Sequence, residues 1–289
     1  MDERIDVRKT YKLFIGGTFP RSESGRTYVV SDAKGRFLAN ASLASRKDAR
    51  DAVIAARSAQ PTWWDASAYN RGQVLYRIAE MMEGRRAQFE DEVASAEGVS
   101  SRKAAATVDA AIDRWVWYAG WSDKIAQVLG SSNPVAGPYF VFSVPEPSGV
   151  VAAISSQRSS LLGLISIVAP IIVSGNACIV VAAEDRPLPA ITFAEVLAAS
   201  DLPGGVVNIL TGRPREIGPW LASHADVDAL DLTGVEDDAL ATEMAVDAAV
   251  NVKRVLAPPR KAPDWFDEPG MSRIRQFVET TTVWHPIGA

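Results

Sequence analysis

The hydrophobic rhythm of the chain changes near residue 138. From about residue 45 to residue 128, apolar side chains recur at three- and four-residue steps: Val74, Leu75, Ile78, Ala79 and Met82, then Val108, Ile112, Trp115, Val116 and Ala119. That period marks one face of amphipathic helices. Ser45 with Asp48 three residues on has capping-box spacing and predicts where the first helix starts. Ahead of it, residues 11–17 and 26–31 read as short strands joined by a polar Ser-Glu-Ser-Gly turn. Residues 130–137 form a loop by composition. Two dense aromatic and β-branched runs follow, at 139–144 and 149–154. Then the period alternates: helix from 161, strand 177–181, helix 189–199, strand 206–210, helix 215–224, strand 229–232, helix 237–249. Buried apolar strands alternating with helices predict an α/β fold, a parallel sheet with helices on both faces. Ligands bind such sheets at the carboxyl ends of the strands.

The final stretch breaks this alternation. The prolines of 258–263 exclude a helix and a central strand, so the segment reads as a linker. A short helix at 272–279 and a β-prone run at 280–285 close the chain. Residues 161–183 carry no charge over a length that could span a bilayer. Pro170 and the Ser174-Gly175-Asn176 stop divide them, which predicts a buried helix followed by a buried strand.

Composition narrows the classes. The 289 residues are 47% hydrophobic and 22% charged, the balance of a globular protein with a sizeable core. A net charge of −5 argues against nucleic acid or an anionic membrane as partner. The segment Met1 to Asp6 has no apolar core and does not read as a secretory signal. The one cysteine excludes an intrachain disulfide and fits a reducing cytoplasm.

That cysteine, Cys178, lies in Asn176-Ala177-Cys178-Ile179-Val180-Val181, among β-branched neighbours and with no cation nearby in sequence. A reactive thiol needs the opposite setting, so Cys178 reads as a small core hydrophobe. His224 and His285 lack the spacing of a metal or triad site. Asp109, Asp113 and Arg114 read as solvated charges on a helix face.

Several stretches between residues 11 and 256 resemble the NAD(P)-dependent aldehyde dehydrogenases. They are Phe14-Ile15-Gly16-Gly17, Trp63 to Arg71, Tyr118-Ala119-Gly120-Trp121, Pro147-Ser148-Gly149-Val150-Val151, Ala169-Pro170 with Ser174-Gly175-Asn176, and above all the run from Leu202 to Gly212. Residues 273–288 resemble the family's C-terminal oligomerisation strand. The resemblance implies a Rossmann-like α/β core, a helical N-terminal region and a small β oligomerisation arm. The implied division is 1–132 for the N-terminal strands and helices, 133–148 for the arm, 149–257 for the core, 258–270 for a linker in place of the catalytic domain, and 271–289 for the tail.

The functional positions of the family depart from its pattern one after another. Its proline-aromatic-asparagine step, which stabilises an oxyanion, reads Ser156-Gln157-Arg158 here. Its ribose-gripping lysine falls at Val181. The next acidic position survives as Glu184, which reads equally as a vestigial ribose contact or a surface carboxylate. In the pyrophosphate loop, Thr233 and Gly234 are kept, but the serine is Val235, the later glycine is Ala239, and Glu236, Asp237 and Asp238 crowd the helix start. Acids there suit the helix dipole and repel a pyrophosphate. The general-base glutamate should follow Lys253-Arg254-Val255, where the chain reads Leu256-Ala257-Pro258-Pro259. The resemblance thus implies no catalytic residue, no metal ligand, and at most a vestigial cofactor site at Glu184, Thr233 and Gly234. No cofactor is expected, with NAD(P) if that site still binds. The leading expectation is an inactive subunit that assembles with a full-length aldehyde dehydrogenase or with itself. A nucleotide-binding sensor and an oxidoreductase completed by a partner are the alternatives.

Overall fold

The computed structural model describes residues 9–288; the expectation for Met1 to Asp6 lies outside them. Ser45 caps the first long helix as its spacing predicts. Its hydroxyl accepts from the Asp48 N–H, and the Asp48 carboxylate accepts from the Ser45 N–H at 2.7 Å. The chain enters through an antiparallel pair, β1 (Thr27–Ser31) and β2 (Phe37–Ser42). Five helices follow: α1 (Arg46–Asp65), α2 (Ala68–Glu83), α3 (Arg86–Glu97), α4 (Ser101–Ala119) and α5 (Ile125–Leu129). The strands β3 (Ser131–Asn133) and β4 (Tyr139–Pro147) then lead to the alternating core. That core runs β5 (Val150–Ile154), α6 (Leu162–Val173), β6 (Ala177–Val181), α7 (Leu188–Ala198), β7 (Val207–Leu210), α8 (Pro214–Ser223), β8 (Ala229–Asp231), α9 (Asp238–Ala249) and β9 (Arg254–Leu256). The chain ends in α10 (Met271–Arg275) and β10 (Val278–Pro286).

The core strands form one parallel sheet in the order β7-β6-β5-β8-β9. Alternate residues point to opposite faces of a strand, and the burial follows that rule. Val151, Ala153, Cys178 and Val180 pack with α4, α6 and α7, whereas Val150, Ala152, Ile179 and Val181 pack with α1, α8 and α9. Every residue of α6 is buried. The uncharged stretch is therefore a core helix and a core strand. Among the described residues no helix is long and apolar enough to cross a membrane. Strand order reverses beside β5: β6 and β7 lie on one side and β8 and β9 on the other. This switch point opens a crevice at the carboxyl ends of β5 and β8.

A second sheet, β10-β4-β3, projects from the core, with β10 antiparallel to β4 over nine residue pairs. The arm strand and the C-terminal strand are thus one structure.

Four expectations are corrected. Residues 11–17 make isolated bridges in place of a strand: Tyr11 to Ala41, Phe14 to Ile209, and Ile15 to Thr18 around Gly16 and Gly17 at positive φ. Their backbone is divided between the β2 and β7 edges. The loop at 130–137 contains β3, which β4 recruits. The helix at 272–279 stops at Arg275 because Val278 already belongs to β10. Arg114 is buried, at 7% exposure. Its guanidinium donates to the carbonyls of Trp265 and Asp267 at 2.6 and 3.1 Å.

Candidate functional site

The crevice at the switch point encloses about 510 Å³. Four chain segments wall it: the loop after β5, the loop after β8 with the start of α9, residues 258–266 with Trp265 and Phe266, and Glu97, Lys103 and Thr107 of α3 and α4. Thr233 and Gly234 lie in this wall and Glu184 does not.

The serines of the loop after β5 tie its backbone to itself and to the first turn of α6. Ser156 Oγ accepts from the Ser159 N–H at 3.1 Å, and Ser159 Oγ accepts from the Gly163 N–H at 3.0 Å. The Ser160 N–H and hydroxyl both donate to Glu97, at 2.7 and 2.8 Å. Arg158, at the position of the implied oxyanion donor, points outward and pairs with Glu236 at 2.8 Å.

Beyond β6, Glu184 takes an ion pair from Arg213 at 3.5 Å, and its own N–H donates to Gln157 at 2.9 Å. Burial raises its pKa above the ordinary glutamate value. Val181 is fully buried in the sheet.

The loop after β8 is closed by its own groups. Thr233 donates its hydroxyl to Asp231, and its oxygen lies 3.2 Å from Arg273 Nη2. The Gly234 N–H donates to the Ile154 carbonyl at 3.1 Å. A side chain at Gly234 would be driven into the Ser155 carbonyl, with its Cβ 1.8 Å from that oxygen. This glycine is therefore required for packing, whatever the loop binds. At the start of α9, Asp237 accepts from the N–H groups of Ala239 and Leu240 at 2.9 and 3.3 Å and pairs with Arg215. The Leu240 hydrogen bond, then Arg215, hold its carboxyl below the usual aspartate value.

Cys178 lies outside the crevice, with no exposed surface, between Val151 and Val207 of the neighbouring strands. Burial pushes its thiol pKa well up, and the charge of Asp231 adds to the shift. No group of His, Cys, Asp and Glu among the described residues could hold a metal ion.

Sequence reasoning missed Asp231, Arg273, Arg114 and Trp265. Asp231 carried the one available signal: an acid inside the apolar strand run Ala229-Leu230-Asp231-Leu232, which needs a buried partner.

Comparison with known proteins supplies the wider context. The model of the aldehyde dehydrogenase family matches residues 19–257. Retinal dehydrogenase 2 of Gallus gallus is 34% identical over 260 residues, covering 87% of this chain and 48% of that protein. A putative aldehyde dehydrogenase from Burkholderia cenocepacia superposes with a TM-score of 0.80 at 32% identity, over 84% of this chain and 51% of its own. The aldehyde dehydrogenase of Bacillus cereus, solved as an NAD+ complex, gives 0.80 at 25% identity, over 86% and 50%. The chain spans between 26% and 48% of the length of the curated relatives it matches.

Proposed function

We propose that this chain, which belongs to the aldehyde dehydrogenase family, is a non-catalytic member of it serving as an accessory or structural subunit of an oligomer. The observation that carries this reading is the placement of its one thiol. Cys178 is sealed inside the parallel sheet, without the exposure and positive surroundings that a nucleophilic thiolate needs.

The family's cofactor is NAD(P), and the residues present do not fit its pyrophosphate. The helix-start amides that would grip a phosphate are spent on the Asp237 carboxylate. The Thr233 hydroxyl is spent on Asp231 and Arg273, and Glu184 on Arg213. We therefore assign no catalytic step, and Glu184, Thr233 and Gly234 stand as remnants of the site. The reducing cytoplasm suits a chain with a single buried thiol.

Assembly would run through the arm. The outer edge of β10 has no neighbour among the described strands. Phe140 is 50% and Trp284 59% exposed beside it. Aromatic strands with open edges are satisfied by adding to another sheet. The proposed acceptor is a full-length aldehyde dehydrogenase. A homodimer through the arms and the α9 face, where Val246 and Val250 are exposed, is the fallback.

Purified chain given NAD or NADP and a panel of aldehydes is expected to show no turnover. Turnover abolished by Cys178→Ala would overturn the non-catalytic reading. Native mass spectrometry, alone and after co-expression with a full-length aldehyde dehydrogenase, should show an oligomer. A monomer in both, unchanged by deleting residues 281–289, would overturn the subunit reading.

A further inference from the structure

Asp231 closes β8 with no exposed surface. A carboxylate in that position is tolerated when it is paired and hydrogen-bonded, and is costly otherwise. Its partner is Arg273 of α10, 42 residues on, whose Nη2 lies 2.9 Å from Asp231 Oδ2. The guanidinium of Arg273 also sits 5.5 Å from the centre of the Trp265 ring. The backbone on either side of Phe266 is held by the buried Arg114 of α4 through the Trp265 and Asp267 carbonyls. On α6, Gly163 leaves room for both the loop after β5 and the indole: a Cβ there would stand 2.7 and 3.0 Å from the Cβ atoms of Ser156 and Ser159 and 3.1 Å from Trp265 Nε1. Three separate core elements, β8, α4 and α6, thus each carry a residue shaped to the segment between β9 and β10.

We propose that residues 258–275 are a latched strap that closes the switch-point crevice, with the Asp231–Arg273 pair as the latch. The strap forms one wall of the crevice through Trp265 and Phe266. Arg273 reaches past the latch to the Thr233 oxygen, so the closed strap and a ligand on the Thr233 loop compete for one group. Opening the strap takes the Arg273 donor away from the Thr233 oxygen, whose hydrogen stays on Asp231, and bares the ends of β5 and β8. The device stands on these contacts alone and holds whether the chain is catalytic or not.

A thiol reporter reads the latch directly. Ser156 lines the crevice at 8% exposure, while Cys178 has none and stays silent to labelling. In Ser156→Cys, alkylation by iodoacetamide should be slow. Adding Arg273→Ala should accelerate it at least about tenfold, because local opening sets the rate. Arg273→Ala leaves Asp231 unpaired and could unfold the chain, so Asp231→Ala with Arg273→Ala is the deciding variant. It removes both charges, and the urea midpoint should recover toward that of the reporter parent while labelling stays fast. Labelling that never accelerates, or that returns to the slow rate in the double variant, would overturn the latch.

Discussion

The carboxyl edge of the parallel sheet and the projecting arm face solvent with opposite chemistry. At the sheet edge, groups that could hold an outside ligand have partners within the chain: Asp237 for the α9 amides, Arg213 for Glu184, Asp231 and Arg273 for Thr233. On the arm, β10 leaves one whole backbone edge without a strand beside it among the described residues, and Phe140, Val283 and Trp284 stay exposed. The first region pairs most of its own polar groups, with Ser155 Oγ and Arg273 Nε buried without a partner. The second leaves a strand edge open, and an unpaired aromatic strand is the kind of surface that proteins cover. The contrast teaches that a recognisable motif and an available site are separate properties. Thr233 and Gly234 keep the loop's residues while the groups around them occupy its bonding capacity.

The largest effect should come from the closed region. Gly234→Ala would push a methyl group into the Ser155 carbonyl, a backbone atom that cannot swing aside. Overpacking of this kind costs about 1–3 kcal/mol, and this contact belongs at the upper end. Urea unfolding is expected to show a lower midpoint with an unchanged slope. An unaltered midpoint would mean that the loop is loose, and the comparison would lose its closed half.

On the arm the same measurement should show almost nothing. Phe140→Ser removes an exposed ring and is expected to move unfolding by less than ~0.5 kcal/mol. Its effect should appear in assembly, where a buried aromatic anchor is worth about 2 kcal/mol, roughly 30-fold in dissociation constant. Analytical ultracentrifugation over a dilution series separates the two. A stable variant that self-associates, or joins a full-length partner, as well as the parent would show that the arm is not the contact.

Much of the closed region could be read in advance, and the reasons are local. The β6 limits match residues 177–181 as expected, because a short β-branched run between Gly175 and a polar turn has few other solutions. The paired helices and the capping box at Ser45 follow for similar reasons. What stayed hidden depends on partners far away in sequence. Arg114 occupies a polar position on its helix, and its burial depends on carbonyls 151 and 153 residues later. Residues 131–133 are polar and become strand through β4, where Asn133 donates to Ser143 at 2.8 Å. Residues 11–17 have the alternation of a strand, yet their backbone is shared between two sheet edges. Within the candidate site, Thr233 and Gly234 lie in the crevice wall. Glu184, which the family resemblance implies as a ribose contact, lies beyond β6 beside Arg213 and outside that wall.

The smallest expected effect probes how the closed region is held. Asp237 caps α9, and its carboxyl is held below the usual aspartate value by the Leu240 amide first and by Arg215 next. A carboxyl whose folded pKa is depressed contributes stability that is fully present above its unfolded value of 3.8 and is lost as pH falls through the lower folded value. Asp237→Ala should therefore be less stable than the parent at neutral pH, and the gap should narrow as the pH falls below 3.8. The group is exposed, so salt should reduce the Arg215 share and leave the backbone cap. The same variant frees the Ala239 and Leu240 amides. Asp237→Gly combined with Val181→Lys goes further, adding a cation at the buried end of β6, where the resemblance implies the family's lysine. Calorimetry should then detect NAD binding stronger than in the parent. A stability gap that does not narrow in acid would remove Asp237 from the account of the cap. No gain in NAD affinity in the double variant would show that the closure lies elsewhere in the crevice.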